Sequence, residues 1–256
     1  MNKIKGYITH RAFSVTLAVV FWLAVWQIAA MAVGERILLA SPIAVISRLF
    51  TVWREPGFFA TIAYSFFRIV GGAGLGILVG CLLAAAARGA KFIEILLSPL
   101  MVTVKSVPVA SFIVIALIWL SSRTLSIFIS FLIVLPVVYS NMLIGLRATP
   151  SDLLEMAQVY GLPPHKRLLY IYLPAVRPYL LSACGSALGM AWKAGVAAEV
   201  IGLPTGSLGE VIYEAKLYLN SVDLLAWTVV IVLISVGFEK LFVGLLKFAY
   251  GRLVKI

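Results

Sequence analysis

The sequence predicts an all-α membrane protein with about six transmembrane helices and a pair of short helices on the cytoplasmic side. Hydrophobic residues make up 62% of the 256 residues, charged residues make up only 12%, and the mean hydropathy is +1.08. Soluble domains carry about 25% charged residues. The chain is therefore expected to lie in a lipid bilayer, with one polar stretch, residues 149–174, outside it.

Six stretches contain the roughly 20 mostly apolar residues that a membrane span requires. They are residues 13–33, 61–87, 93–119, 124–146, 175–199 and 224–246. The first lacks a clear small-residue cleavage site and precedes further spans, so we interpret it as a retained helix and not as a signal peptide. Because the connections are too short to form a soluble core, residues 1–256 are predicted to be a single transmembrane domain.

Basic residues predict the orientation of these spans. With the N-terminus inside, thirteen Lys and Arg residues face the cytoplasm, beginning with Lys3, Lys5 and Arg11. Five face the exterior, namely Arg36, Arg48, Arg54, Arg123 and Lys216. Both termini are therefore predicted to be cytoplasmic. The protein itself is predicted to lie in the cytoplasmic, or inner, membrane of the cell. The net charge of +11 follows from this bias and from attraction to anionic lipid, so nucleic acid is not an expected partner.

Small residues mark the second span. Gly72, Gly76 and Gly80 recur every four residues, which clears one face of the helix of side chains and allows close packing of a neighbouring helix. The fifth span repeats this pattern with Ala183 and others. We predict that the three glycines are helix-packing positions.

Prolines and buried charges mark the candidate translocation path. Pro99 and Pro108 interrupt the third span and Pro136 the fourth, which permits kinks that suit a gate but that also occur in proteins that move nothing. A basic side chain deep in the membrane costs about 2.5 to 3.5 kcal/mol on insertion scales. The predicted path residues are Lys105, Pro108, Lys193 and Glu199.

Two alternatives stay open in this region. Lys193 could instead reach the membrane surface or pair with Glu199, although six residues of helix place the two on different faces. Residues 200–210, which follow Glu199, are rich in glycine and form turns. They could hold a partner on the outside or form a simple re-entrant connection.

Residues 149–174, here called the polar segment, are predicted to form two short helices that meet at a bend. Thr149 is expected to cap the first helix, with Pro150 at its first position and negative charges from Asp152 and Glu155 near its start. Gly161 supplies the left-handed residue that ends it.

The second short helix is expected to begin at Pro163 or Pro164 and to be closed by Pro174. On the first helix, Leu153, Met156, Ala157 and Tyr160 share an apolar face. A segment this short needs another surface to cover that face, which a partner protein could provide.

The polar segment resembles a known signature. Glu155, Met156 and Ala157, then Gly161, then Ile171 to Pro174, are similar to the E-A-A, G and I-x-L-P motif of permease subunits of binding-protein-dependent ABC importers. Met156 stands where alanine is frequent, and methionine fills the same apolar contact. The stretches L-L-A-S-P-I-A-V near residue 40 and T-G-S-L-G-E-V-I-Y-E-A resemble the nitrate, sulfonate and taurine branch.

This resemblance implies a type I ABC importer permease fold and a set of partners. These are a second permease copy, expected to form a homodimer, two cytoplasmic ATPase subunits and an extracytoplasmic solute-binding protein. It further implies that the polar segment couples the permease to the ATPase, and that the coupling residues are Glu155, Ala157, Gly161, Ile171, Leu173 and Pro174.

The chain is not expected to be an enzyme or to bind a cofactor. It contains no G-x-x-x-x-G-K-[ST] loop to hold nucleotide phosphates, so ATP and Mg²⁺ are expected on the partner ATPase. The sequence contains no H-E-x-x-H spacing of the kind that would indicate a metal site. Cys81 and Cys184 lie inside apolar spans and are read as packing residues.

Two other functional classes remain. An ion-coupled secondary transporter usually has internal repeats and paired acidic residues within its spans, and this sequence shows neither. A non-transporting scaffold or a membrane-embedded enzyme is the second alternative, and the latter would show a catalytic cluster at one membrane face. If the chain is an importer subunit, Lys105 and Lys193 favour an anionic solute. The identity of the solute stays open among nitrate, sulfonates, taurine, vitamin precursors and other small polar solutes.

Overall fold

A computed structural model describes residues 2–35 and 37–253, with the backbone alone for residues 2–12 and 253. The side chains of Lys3, Lys5, Arg11 and Arg36, which contribute to the predicted orientation, lie outside this described part. Within it the chain forms helices and turns, without a β-strand. The helices are α1 (Asn2–Val33), α2 (Pro42–Val52), α3 (Phe58–Gly89), α4 (Lys91–Ser106), α5 (Val109–Ala116), α6 (Ser122–Arg147), α7 (Ser151–Val159), α8 (Pro164–Arg167), a π-helix (Leu168–Tyr172), α9 (Leu173–Gly202), α10 (Leu208–Leu217) and α11 (Ser221–Leu253).

The described residues include four helices that are long and apolar enough to cross a membrane. They are Phe13–Val33, Phe58–Gly89, Ser122–Arg147 and Ser221–Arg252. Helices α4 and α5 together provide a fifth candidate span, which is bent by 102°. The chain is therefore a multi-pass membrane protein.

Helix α9 occupies the place of the fifth predicted span, residues 175–199, but it is not among the helices apolar enough to qualify. Its Gly and Ser residues and Lys193 lower its mean hydropathy, and its Ala residues add less to it than Leu or Ile would. Many of these small residues pack inside the protein, so this helix does not need the apolar surface that lipid requires. The prediction of about six spans thus becomes four or five by this criterion, with α9 as an additional buried helix.

Only one of the three prolines breaks its span. Val107 adopts an extended conformation with ψ of 133°, and Pro108 then precedes α5. This agrees with the exclusion of helical geometry for a residue before proline. Pro99 and Pro136 lie inside continuous helices, so the expected interruption at these two positions is wrong.

The chain divides into two compact units, Met1–Phe59 with Val211–Val230, and Ala60–Glu210 with Ile231–Ile256. The prediction of a single domain over residues 1–256 stays a prediction. In the first unit, Ala40, Val45 and Ala226 form a buried apolar cluster. The guanidinium of Arg48 donates to the carboxylates of Asp223 and Glu55.

Two opposing effects act on Arg48. Partial burial lowers the pKa of its guanidinium, while the hydrogen bonds and charges of Asp223 and Glu55 raise it, and the net pKa is raised above the usual value. The side chain therefore stays cationic at any physiological pH, and its ion pair with Asp223 joins α2 to the start of α11.

In the second unit α9 packs against α6, and the small side chains of Ala183, Ala187 and Ala191 are fully buried. Ile113 of α5, Leu125 and Ile129 of α6, and Ala194 of α9 form one buried cluster. The second unit thus brings together the polar segment, α9 and residues 203–207, which follow α9.

Candidate functional site

The first helix of the polar segment, α7, begins differently from the sequence prediction. Pro150 is its N-cap, without a side-chain hydrogen bond, and Asp152 lies in its first turn. The hydroxyl of Thr149 is buried and has no hydrogen-bond partner among the described residues. The prediction that Thr149 caps this helix is therefore wrong, because the helix starts one residue later than its hydroxyl could reach.

The bend after α7 is built from backbone hydrogen bonds. Gly161 has a φ of +62°, the left-handed conformation that favours glycine. The amide of Leu162 donates to the carbonyl of Ala157 over 2.9 Å, and the amide of Gly161 donates to that of Gln158 over 3.1 Å. These two bonds form a Schellman motif, which satisfies carbonyls at the end of the helix.

The second short helix, α8, is attached to this bend. It follows Pro163 as N-cap, and the Nε of Arg167 donates to the carbonyl of Leu162 over 2.7 Å. Two short helices with a glycine bend between them are therefore present, as predicted. The side-chain bond fixes their relative orientation from within the segment.

Pro174 does not close the unit, contrary to the prediction. Helix α8 continues into the π-helix and then into α9, and Pro174 lies in the first turn of α9. In the wider π turn the amide of Leu173 donates to the carbonyl of Leu168. We attribute the continuity of the helix to this local widening, which accommodates a residue that has no N–H to donate.

The six predicted coupling residues fall into two groups. Glu155 is exposed on α7, and Gly161 forms the bend. Ala157 is fully buried and Ile171 nearly so, while Leu173 and Pro174 are half-buried. The signature therefore combines one exposed side chain with residues that hold the segment against the protein.

The surface that α7 presents differs in part from the predicted apolar face. Leu153, Met156 and Tyr160 are exposed, whereas Ala157, with 0% exposure, packs inward. Val159 is 83% exposed and was not part of the predicted face. Helix α7 and its C-cap residue Tyr160 thus leave four large apolar side chains uncovered.

The two lysines predicted for the path are both exposed. The Nζ of Lys105 donates to the hydroxyl of Ser140 over 2.8 Å, and that hydroxyl donates to the carbonyl of Pro136 over 2.8 Å. Lys193 forms no ion pair among the described residues, so the alternative of a pair with Glu199 is wrong. Pro108, the third path residue, lies at the 102° bend between α4 and α5.

Glu199, the fourth path residue, lies in a different environment from the lysines. It is 1% exposed, and its Oε2 accepts a hydrogen bond from the hydroxyl of Ser65 over 2.6 Å. Sequence reasoning missed Ser65, because the two residues are 134 positions apart. This burial does not fit a residue that lines an open path.

The three glycines of α3 lie against α6. A Cβ added to Gly72 would lie 2.1 Å from the carbonyl oxygen of Ile127. One added to Gly76 would lie 2.8 Å from the Cβ of Val134, and one added to Gly80 would lie 3.1 Å from the carbonyl oxygen of Leu135. The two helices approach so closely that any side chain at these positions would displace backbone or a neighbouring side chain.

Comparison with known proteins gives both a family and a fold. The family described as "Binding-protein-dependent transport system inner membrane component" matches residues 76–252. The chain also has the fold of a solved amino acid ABC transporter described as "with histidines". The TM-score is 0.60 at 17% identity, over 80% of this chain and 97% of that one.

Three curated relatives are similar over most of their length. The nitrate import permease protein NrtB of Synechococcus elongatus is 27% identical over 91% of this chain and 86% of its own. The aliphatic sulfonates transport permease protein SsuC of Bacillus subtilis, whose assignment is provisional, is 27% identical over 76% and 71%. The taurine transport system permease protein TauC of Escherichia coli is 26% identical over 82% and 78%.

Proposed function

The chain belongs to the family of binding-protein-dependent transport system inner membrane components, and from this premise we propose that it forms the transmembrane path of an ATP-driven importer for a small anionic solute. The predicted permease family with its nitrate, sulfonate and taurine branch, and the all-α type I permease fold, are confirmed. Subunits of this family are permeases and not catalytic subunits. ATP hydrolysis is assigned to a separate chain.

The observation that carries the proposal is the exposed apolar surface of α7. Leu153, Met156 and Val159 are exposed on a nine-residue helix that lies outside the candidate membrane spans, and its C-cap residue Tyr160 is exposed beside them. A helix this short is marginal without tertiary contacts, and clustered exposed apolar side chains mark an interaction surface. We assign this surface, together with the exposed carboxylate of Glu155, to one of two ATPase subunits.

Energy enters the permease through this contact. Closure of the ATPase subunits on ATP and Mg²⁺ displaces α7, and the Schellman bend at Gly161 passes the displacement to α8. Since α8, the π-helix and α9 are continuous, the displacement reaches the core of the second unit. A change between inward and outward access then follows by movement of packed helices. This chain itself holds no nucleotide.

An anionic solute is supported by the two lysines. Lys105 and Lys193 are exposed, and neither has a carboxylate within ion-pair distance among the described residues. Unpaired basic side chains attract anions, and relatives of this chain are permeases for nitrate, sulfonates and taurine. Neutral Lys105→Gln and Lys193→Gln variants should take up the cognate anion more slowly, and unchanged uptake would argue against this substrate class.

The remaining partners follow from the family. A second copy of the chain completes the path, and a solute-binding protein delivers the solute on the side opposite α7. Both termini and the polar segment are assigned to the cytoplasmic side of the inner membrane, in line with the distribution of basic residues.

The coupling assignment is tested in proteoliposomes that contain the assembled complex. Glu155→Lys inverts an exposed charge, and Gly161→Pro is incompatible with a φ of +62°. Both should abolish solute-stimulated ATP hydrolysis and uptake. Gln158→Lys is the matched control, because it adds a positive charge at an exposed position of α7 while keeping Glu155. Wild-type rates in both Glu155→Lys and Gly161→Pro would defeat the assignment.

A further inference from the structure

Residues 203–207, the glycine loop, form a hydrogen-bonded turn between α9 and α10. Leu203, with φ of +49°, ends α9, and its amide donates to the carbonyl of Glu199 over 2.8 Å. The amide of Gly206 donates to the carboxylate of Glu210 over 2.5 Å, and the hydroxyl of Ser207 accepts from the amide of Glu210 over 3.0 Å. The loop is therefore held in one conformation by its own polar groups.

One buried hydroxyl connects this loop to the helices. Ser65 of α3 donates to the carboxylate of Glu199 on α9 over 2.6 Å and accepts from the amide of Leu208 over 2.9 Å. Ser65, Ser207 and Leu208 have 0% exposure and Glu199 has 1%. A single side chain thus joins α3, the last turn of α9 and the first residue of α10.

The contact between the first turn of α10, which follows the loop, and α9 is also close at the backbone. A Cβ added to Gly209 would lie 2.3 Å from the carbonyl carbon of Glu199 and 2.4 Å from the amide nitrogen of Val200. Only glycine allows this approach. Packing and hydrogen bonding therefore hold the same junction.

Glu199 is an expensive residue to bury. No Lys or Arg nitrogen lies within ion-pair distance of its carboxyl among the described residues. A buried carboxyl without an ion pair costs free energy that hydrogen bonds must offset, so its presence usually has a structural or functional reason. The hydrogen bond from Ser65 indicates what that reason is.

We propose that Ser65 and Glu199 are positioning residues that fasten the glycine loop to the end of α9, so that α9 and the loop move as one body during the transport cycle. The proposal rests on the proposed function, because the loop lies at the opposite end of α9 from α7 and on the side assigned to the solute-binding protein. Leu203 of the loop is exposed and available to that partner. Binding there is transmitted to α9 through the Ser65 hydroxyl.

The first test measures amide hydrogen exchange of residues 203–210 in the assembled complex. Ser65→Ala and Glu199→Ala should raise the exchange rate of this peptide about tenfold, since each removes a buried hydrogen bond to a charged or backbone group. Glu199→Gln should keep protection near wild type, because its amide oxygen still accepts from Ser65. Ser130→Ala is the matched control, because Ser130 is an equally buried serine that donates to the carbonyl of Ala191 in the middle of α9 over 3.3 Å.

The second test measures ATP hydrolysis against the concentration of solute-loaded binding protein. Ser65→Ala and Glu199→Ala should need about tenfold more binding protein for half-maximal stimulation, with basal hydrolysis unchanged. Glu199→Gln and Ser130→Ala should match wild type. This difference separates a positioning role from a general loss of folding.

The outcomes distinguish this proposal from the proposed function. Wild-type exchange and wild-type stimulation in Ser65→Ala would overturn the positioning role. Lost stimulation in Glu199→Gln with a protected loop would also overturn it, because the charge itself would then be required. If the wild-type complex shows no stimulation by any binding protein, the proposed function fails, whereas exchange in Ser65→Ala still decides whether the loop is fastened.

Discussion

The two ends of the continuous helix that contains α9 are held by opposite means. At the α8 end, the polar segment is stabilised by backbone hydrogen bonds around Gly161, and its large apolar side chains point outward. At the other end, the polar side chains of Ser65 and Glu199 are buried, and Gly209 lies against the backbone. The first end is the one that we propose is covered by the ATPase subunit, and the second is fastened to its own fold. Substitutions of the exposed side chains at the first end should therefore affect partner binding, and substitutions that crowd the close backbone contact at the second end should affect folding.

The largest expected effect is at the fastened end. Gly209→Ala should lower the free energy of unfolding by about 3 kcal/mol, because the new Cβ meets backbone atoms of Glu199 that have no room to move. Denaturation in detergent measures this loss. Gly185→Ala is the control, since no atom lies within 4 Å of its added Cβ. Equal stability of the two variants would contradict the close contact at Gly209.

The exposed end should respond in binding and not in folding. Val159→Asp should weaken association with the ATPase subunit by about thirtyfold, because it places a charge in an apolar contact. The stability of the isolated chain should not change, since Val159 is 83% exposed. Gln158→Asp introduces the same charge on the same helix at a polar position. The comparison between the two ends fails if both variants bind the ATPase equally well in a surface-binding assay.

A smaller effect is expected at the bend. Gly161→Ala should destabilise the chain by about 1 to 2 kcal/mol, the cost of a left-handed conformation for a residue with a Cβ. The φ of +62° is the sole cause, because no atom lies within 4 Å of the added Cβ. Gly74→Ala provides the reference, since Gly74 has ordinary helical geometry and equal space. The Gly161→Ala variant should therefore have the lower thermal unfolding midpoint. Identical midpoints would contradict the left-handed conformation at Gly161.

The smallest effect is also the sharpest check on the start of α7. Thr149→Val removes a buried hydroxyl that has no partner, so stability should stay the same or rise by about 1 kcal/mol. If Thr149 capped α7, the same substitution would instead lower the free energy of unfolding by about 1 kcal/mol. If chemical denaturation shows that Thr149→Val is less stable than the wild type, Thr149 does cap α7, contrary to the structure.

Sequence reasoning predicted best what depends on local pattern. Long apolar runs located the spans, and the glycine that ends α7 follows from the conformation that only glycine adopts freely. The prediction that Thr149 caps α7 was wrong because a cap depends on the exact residue at which the first turn begins. The N-cap is Pro150, one position later than predicted. Pro174 was expected to end a helix, and no local signal announces a π turn that lets the helix continue.

Contacts between distant residues were beyond reach of the pattern. Ala157 and Val159 are both apolar residues of α7, and only the packing of the segment against the rest of the second unit decides that the first is buried and the second exposed. The bond between Ser65 and Glu199 joins residues 134 positions apart. The sequence predicted Glu199 as a path residue, and no local pattern distinguishes its partner Ser65 from the other serines.

The absence of a break between Pro164 and Gly202 has a mechanical consequence. At about 1.5 Å per residue this stretch is a lever arm roughly 55 Å long. A tilt of about 10° at its start sweeps the far tip through roughly 10 Å, a simple product of angle and length. Under the proposed function, a small tilt imposed on α8 by the ATPase subunit would therefore be amplified into a displacement of this size at the far end of α9.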